Sequence, residues 1–304
     1  MSRIFITGAS GFVGAAIADL AARSGHEVTI LIRTPSSPRV VALGGRCAIA
    51  IADLSDRDAV RAILIDAKPD IVIHSAWEGV GGPERAGDIQ LDNIRTTVEL
   101  LDSAIAAGVG RFVGIGSQAE YGRHDRRINE GAATHPFLLY GAAKLSAYHL
   151  TRQRAAEAGI GFAWLRLFSP YGPGDNPNWL IPSVAAQILA GQAPRTSAGT
   201  QKWDYLHIAD CARGILAAVV TESAQGVFNL SSGRAVTVRS IVERIRDLAC
   251  PGLQLTFGDI PFGPNQIMHL EGDCGRLSAA TGWAPRILIE DGLVSVVESM
   301  RQAA

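Results

Sequence analysis

Cysteine is scarce and scattered: Cys47, Cys211, Cys250 and Cys274 are the only four in 304 residues, and none sits in a CxxC pair. Such spacing offers no disulfide framework, and no cluster of His, Cys and Asp has metal-ligand spacing. Met1 runs directly into a strand-like segment rather than a signal peptide, so a cytoplasmic setting with free thiols is expected. A charge excess is missing too. The 28 basic and 29 acidic residues leave a formal net charge of −1, which gives nucleic acid or a membrane surface no foothold. No apolar run reaches the roughly 18 residues that a bilayer span needs. Internal repeats and low-complexity tracts are absent, and so is a GxSxG nucleophile elbow.

What remains is a chain built to fold. Apolar residues make up 47% and charged residues 19%, a balance that argues against disorder. The first half alternates strand-like and helix-like segments. Arg3–Thr7, Glu27–Ile32, Cys47–Asp53, Ile71–His74, "RFVGIGS" and "GFAWLRLF" read as strands. Between them, helical spacing runs from Phe12 toward Gly25, from an N-cap at Ser55, over Arg85–Ala107 and over Tyr140–Ala158. Apolar strands alternating with helices predict an α/β fold, a doubly wound parallel Rossmann sheet covered on both faces.

After Phe168 the texture changes. "SPYGPGDNPNW" is rich in Pro and Gly and reads as a loop. Shorter elements follow: helices near Ile181–Ala190, Cys211–Val220, Val238–Leu248 and Ile289–Gln302, with "WDYLHIAD", "VFNL" and "LQLTF" between them. The expected division is a dinucleotide-binding domain over 1–168 and a smaller substrate lobe over 169–304. The segment 204–220 is expected to return to the first domain.

"TGASGFVG" lies between the first strand and the first helix. Gly8 permits the tight turn, Gly11 lets backbone approach a pyrophosphate, and Gly14 lets the helix pack closely. Ser10, Phe12 and Val13 complete a helix N-terminus whose free N–H groups suit phosphate. A glycine-rich turn without a ligand is the alternative, and the strand–turn–helix context weighs against it. The second strand ends at Arg33, where a carboxylate would take the ribose 2′-hydroxyl of NAD. A guanidinium suits a 2′-phosphate instead, so NADP is the expected cofactor and NAD the alternative. A solvated surface arginine is the plainer reading. Asp53, with Leu54, ends the third strand, where a carboxylate can accept from the adenine amino group.

Tyr140 and Lys144 form "YGAAK" on one helix face. A nearby cation lowers a phenol's pKa from its usual ~10, so the pair makes a general acid/base. YxxxK alone is an ordinary helix face. Ser117 raises its meaning by ending the fifth strand at the carboxyl edge, where a hydroxyl can meet a substrate oxygen or merely cap a turn. His74 reads as a packed, hydrogen-bonded core histidine, and His124 and His135 as solvated.

"TGASGFVG", "KPDIVIHSA", "GSQAEYG", "YGAAK", "LRLFSPYGPGD", "WDYLHIAD", "VFNLSSG" and "TGWAP" together resemble the extended short-chain dehydrogenase/reductases, in particular the nucleotide-sugar epimerases, dehydratases and reductases. The resemblance covers nearly the whole chain. It implies about seven strands, a nucleotide-sugar substrate and a homodimer through Arg85–Ala107 and Tyr140–Ala158. It casts Tyr140 as acid/base, Lys144 as the residue that holds the nicotinamide ribose and tunes the tyrosine, and Ser117 as the sugar-oxygen partner. Ser75 and Ala76 would line the cofactor, and Phe168 would approach the nicotinamide.

Departures narrow the implied chemistry. Gln118-Ala119 follows Ser117 where family 4,6-dehydratases carry Asp-Glu, and Ala119 replaces the cysteine of GDP-fucose-forming enzymes. Ser169 stands in place of an asparagine, and Trp203 in place of an arginine that meets the pyrophosphate. Trp77 replaces a small residue as a core or cleft-wall aromatic. With Ser117, Gln118, Ser169 and Trp203 it makes up the expected substrate wall. The pattern is most like reductases of nucleotide-linked 4-keto-6-deoxyhexoses, with a 4-epimerase as alternative and a non-catalytic NADP sensor as a remote one.

Overall fold

Each apolar run read as a strand in the first half enters one sheet of the computed structural model, which describes residues 1–263 and 265–303. The strands are β1 (Arg3–Thr7), β2 (Glu27–Ile32), β3 (Ala48–Ile51), β4 (Ile71–His74), β5 (Arg111–Ser117) and β6 (Gly161–Leu167). Short strands β7 (Pro170–Tyr171), β8 (Lys202–Asp204) and β9 (Leu206–His207) follow, then β10 (Gly226–Leu230), β11 (Ala235–Thr237) and β12 (His269–Leu270). The main sheet has seven strands in the order β10-β6-β5-β4-β1-β2-β3, and every pairing is parallel. Strand order reverses between β1 and β4, which places a crevice at their carboxyl ends.

The period-2 alternation of the strands is read out on two faces. Ile4 and Ile6 of β1 and Val113 and Ile115 of β5 face one apolar layer, while Phe5 and Phe112 face the other. The first layer is closed by α1 (Phe12–Arg23) and by residues from Cys211 to Val219. The second is closed by α3 (Arg57–Ala67), α4 (Ile89–Ala106) and α5 (Leu139–Ala158), the short α2 (Pro38–Ala42) having come before them. In the second half, α6 (Leu180–Leu189), α8 (Val238–Ala249) and α10 (Ile289–Ala303) build a separate apolar cluster. Between them in sequence come α7 (Ile208–Val220) and α9 (Gly275–Thr281).

Several elements differ from the sequence reading. Helix α3 is capped by Asp56, whose Oδ1 accepts Ala59 N at 3.0 Å, because the Ser55 hydroxyl donates instead to Asp53 Oδ1 at 2.7 Å. The third strand stops at Ile51. Helix α4 begins at Ile89, and Arg85 lies on a preceding 3₁₀ turn over Gly82–Ala86, since extended Gly87 separates the two. "LQLTF" pairs with no strand among the described residues. Of the segment 204–220, helix α7 packs on α1 and Asp204 lies in a small sheet of β11, β8 and β12. The strand that completes the main sheet is β10, six residues past that segment's end.

Candidate active site

The glycine turn is shaped by contact. Gly8 has φ +79°, and a Cβ there would meet Ala76 N at 2.5 Å. A Cβ at Gly14 would run into the Gly8 carbonyl. Gly11 differs: its Cβ would meet only Gly8 O, at 3.2 Å, so its outer side is open to a ligand. Gly11 also caps α1 without any side-chain bond, so the N–H groups that open at Phe12 and Val13 keep their capacity for phosphate. A cleft of about 390 Å³ starts at this turn. Gly8, Ser10, Gly11, Arg33, Asp53 and Leu54 line it, as do Ser75, Ala76 and Trp77. That volume lies within the usual range for small-molecule sites. A polar glycine cradle with a free helix N-terminus fits a dinucleotide.

Arg33 is not alone on the rim. Its guanidinium pairs with Glu78 and lies 4.0 Å from Asp53 Oδ2. Sequence inspection near Arg33 shows no acidic partner, because Glu78 arrives from the loop after β4. Asp53 is held by Ser55 N at 2.8 Å and Ser55 Oγ at 2.7 Å, and these bonds keep its carboxyl below the usual range. Arg39 turns elsewhere, donating to Gly174 O at 2.7 Å and Ser10 O at 3.3 Å.

Ser117, Tyr140 and Lys144 converge beside Trp77, and all three are buried. Gly141 lets α5 lie flush on the turn after β5, since a Cβ there would strike the Ala119 carbonyl. Ser117 caps that turn: its Oγ accepts Ala119 N at 3.1 Å, and Glu120 Oε1 accepts Ser117 N at 2.8 Å. Burial raises the Tyr140 phenol above its ordinary value, against opposing effects of a hydrogen bond with Ser117 and the charge of Arg85. Tyr140 also sits in the first turn of α5, where the helix dipole favours an anion.

Lys144 lies one helical turn beyond Tyr140 on the same face of α5. Its Nζ donates to Ile115 O at 2.7 Å and lies 3.7 Å from the centre of the Trp77 ring. Burial pulls its pKa down to about 7. The cation on Tyr140 is Arg85, whose guanidinium carbon is 4.6 Å from the ring centroid. Trp77 meets Tyr140 edge-on and donates to Gln90 Oε1 at 2.9 Å, so it walls the site from the Lys144 side.

His74 is the packed histidine that its strand position suggested. Thr97 donates to Asn93 O at 2.7 Å, so its oxygen accepts from His74 Nε2 at 2.9 Å, and Nδ1 accepts from Thr7 Oγ1 at 2.8 Å. Burial holds its pKa down at about 3. The Phe168 ring is fully buried with Tyr121, Ile128 and Leu270. Gln118 Oε1 is buried without a protein partner beside Ser117, as a ligand-facing group would be. Ser169 and Trp203 touch each other, Trp203 Nε1 donating to Ser169 Oγ at 2.7 Å.

Sequence reasoning missed Glu78, Arg85 and Glu120. Glu120 is wholly buried, and its Oε2 accepts Arg166 Nε at 2.6 Å. Among the described residues no group of His, Cys, Asp and Glu could hold a metal ion, and no helix is long and apolar enough to cross a membrane.

Comparison with known proteins places this geometry. The chain is 28% identical over 315 residues to a UDP-glucose 4-epimerase of Corynebacterium glutamicum, covering 95% of this chain and 94% of that protein. It is 29% identical over 310 residues to a GDP-6-deoxy-D-mannose reductase of Pseudomonas aeruginosa, covering 97% and 96%. The solved UDP-glucose 4-epimerase of Thermotoga maritima, with UDP-glucose, shares the fold at a TM-score of 0.89 and 22% identity over 99% of both chains. The model of the NAD-dependent epimerase/dehydratase family matches residues 4–231, and the chain is therefore a member of that family, an NAD(P)-dependent enzyme of the extended short-chain dehydrogenase/reductase type.

Proposed function

We propose that this enzyme uses NADPH to reduce the 4-keto group of a nucleotide-linked 4-keto-6-deoxyhexose. The observation that carries the reading is Arg33, at the carboxyl end of β2 on the cleft rim with 64% of its side chain exposed. An exposed pair such as Arg33–Glu78 contributes only about 0–1 kcal/mol. A 2′-phosphate, with more charge and a bidentate fit, can displace Glu78 from the guanidinium.

Gly8, Gly11 and the first N–H groups of α1 would hold the pyrophosphate. Asp53 would hold the adenine edge, and Ser75 and Ala76 the strand side. When bound, the nicotinamide supplies hydride to the carbonyl carbon. Ser117 donates a hydrogen bond to the carbonyl oxygen, and Tyr140 passes its proton to that oxygen as negative charge develops. Lys144 would turn its ammonium from the Ile115 carbonyl to the nicotinamide ribose. Gln118 and Ala119 offer no acid/base pair beside Ser117, which favours reduction over loss of water. Trp77, Gln118, Ser169 and Trp203 would border the sugar nucleotide. Leu91 on α4 and Leu150 on α5 are each about half exposed, in keeping with a homodimer across those helices.

A second reading, a 4-epimerase that retains NAD, draws support from the two carboxylates beside Arg33. Glu78 or Asp53 could accept a 2′-hydroxyl. Incubation with UDP-, dTDP-, CDP- and GDP-linked 4-keto-6-deoxy sugars, with NADPH or NADH, separates the two. Consumption of one NADPH per sugar reduced supports the reductase. No consumption, with NAD released when the protein is denatured, overturns it in favour of the epimerase.

A further inference from the structure

We infer that Arg85 is a positioning residue that favours the ionised form of Tyr140. The inference rests on the proposed acid/base role of Tyr140. It goes beyond that role by adding a tuning charge from outside the serine–tyrosine–lysine set.

Four observations meet at Arg85. First, its guanidinium carbon lies 4.6 Å from the Tyr140 ring centroid, the geometry of a cation over an aromatic face. Electron density on that ring rises when the phenol ionises, so the same contact strengthens in the phenolate. Second, Lys144 Nζ is bonded to the Ile115 carbonyl and the Trp77 face. Third, Arg85 Nε is buried without a hydrogen-bond partner, which leaves the ring as its neighbour.

Fourth, the turn that carries Arg85 is tied down from below by two buried amides of α4. Gln90 Nε2 donates to Gly79 O at 2.9 Å and to Glu84 O at 3.1 Å, while Asn93 accepts Glu78 N at 3.0 Å and donates to Glu78 O at 2.9 Å. Gln90 is fully buried. Gly81 at the head of the turn lies against Trp179, which a Cβ would approach to 2.9 Å. The arginine is therefore delivered to Tyr140 by a built loop.

The other charges facing Tyr140 are few. Glu120 acts from the turn after β5 and opposes the phenolate, but it is neutralised by Arg166 of β6 at 2.6 Å. Lys144 shares α5, with neutral His74 behind it on β4. Ser117, at the end of β5, acts on the phenol in the same direction as Arg85. Arg85 is the cation that opposes the effect of burial on the phenol.

The test compares R85M, which keeps the apolar stem without charge, with R85K, which restores a cation. The first readout is the pH titration of the Tyr140 ¹³Cζ resonance in labelled protein, assigned by Y140F. The expected result in R85M is a midpoint about one unit higher, roughly tenfold less phenolate at a given pH, with recovery toward the parent in R85K. The second is the alkaline limb of kcat/KM for the sugar reduced, which should move up with it while NADPH binding changes less than about twofold. A Tyr140 midpoint that stays put in R85M overturns the inference. If R85M does not fold, R85Q is read by the same titration. Failure of the underlying reading looks different: Y140F would then keep its turnover, whatever Arg85 does.

Discussion

Replacing Glu120 by glutamine should be among the costliest single changes in this chain, although the new side chain has the same shape. Glu120 is fully buried, and its partner Arg166 is 3% exposed at the side chain. The carboxylate accepts Ser117 N at 2.8 Å, Trp164 Nε1 at 2.9 Å and Arg166 Nε at 2.6 Å. Glutamine can keep part of that hydrogen bonding, so the lost quantity is charge. Arg166 stays ionised, stacked on Tyr121 at 4.3 Å, with nothing left to balance it. Removing one member of a buried pair costs about 3–5 kcal/mol, because the other charge remains out of water.

For a chain of this size each kcal/mol lowers Tm by roughly 2 °C, so the expected drop is about 6–10 °C. Thermal and urea unfolding followed by tryptophan fluorescence read it directly, since Trp164 sits in the network. Removing both charges in E120Q/R166M should cost less than E120Q alone, because no uncompensated ion remains. An E120Q loss below about 1 kcal/mol, or a double variant worse than the sum of the singles, would refute the reasoning. The surroundings cannot simply close over the change. Gly116 is shaped around the carboxylate, since a Cβ there would stand 2.5 Å from Glu120 Oε1.

Y140F should bind NADPH like the parent and lose nearly all turnover, at least 100-fold; retained turnover in single-turnover assays would remove Tyr140 from the proton transfer. R33D should weaken NADPH binding at least tenfold more than NADH binding, whereas E78Q should tighten NADPH binding by freeing the guanidinium; fluorescence titration of both cofactors checks this, and equal effects on the two would dismiss the 2′-phosphate contact. His74 predicts an acid-side loss of stability. Its native pKa is depressed to about 3 against an unfolded value of 6.5, so the unfolded chain binds a proton that the native chain refuses. The contribution is intact above about pH 6.5 and is lost as pH falls toward 3, by at most about 1.4 kcal/mol per unit. Urea midpoints for the parent and H74Q between pH 7 and 4 should converge, and parallel curves would sink the assignment.

What could be read from the sequence was local. The glycine turn, Tyr140 and Lys144 lie within one turn or one helix face, so spacing alone brings them together. Arg33 and Glu78 are 45 residues apart and meet across the end of β1, which lies between the strands that deliver them. No local pattern announces that pair. Arg85 was open to sequence reading, since Gly81-Gly82-Pro83 and Gly87 both interrupt a helix. The apolar period that starts at Ile89 was carried back too far. Glu120 was also within reach: Ser117-Gln118-Ala119-Glu120 is an S-x-x-E capping box, which the structure forms in full. Strand β10 was missed as part of the main sheet because lobe residues interrupt the strand–helix alternation before it.

The lobe face shows why substitutions counted singly mislead. Ser169 and Trp203 stand where the resemblance leads one to expect an asparagine and an arginine, which suggests two lost contacts to a nucleotide. In the structure Trp203 Nε1 donates to Ser169 Oγ at 2.7 Å, and Ser169 holds a left-handed backbone at φ +34° to receive it. Each residue therefore needs the other. An arginine at 203 would put a charge against the apolar cluster that holds Leu270, the cross-strand partner of Trp203. A lone serine at 169 would keep its rare backbone with no partner for its hydroxyl. If the proposed substrate wall holds, the pair would offer the sugar nucleotide an aromatic face that selects by shape and stacking rather than by charge. On that proposal, contacts to the nucleotide's phosphates would come from residues outside that wall.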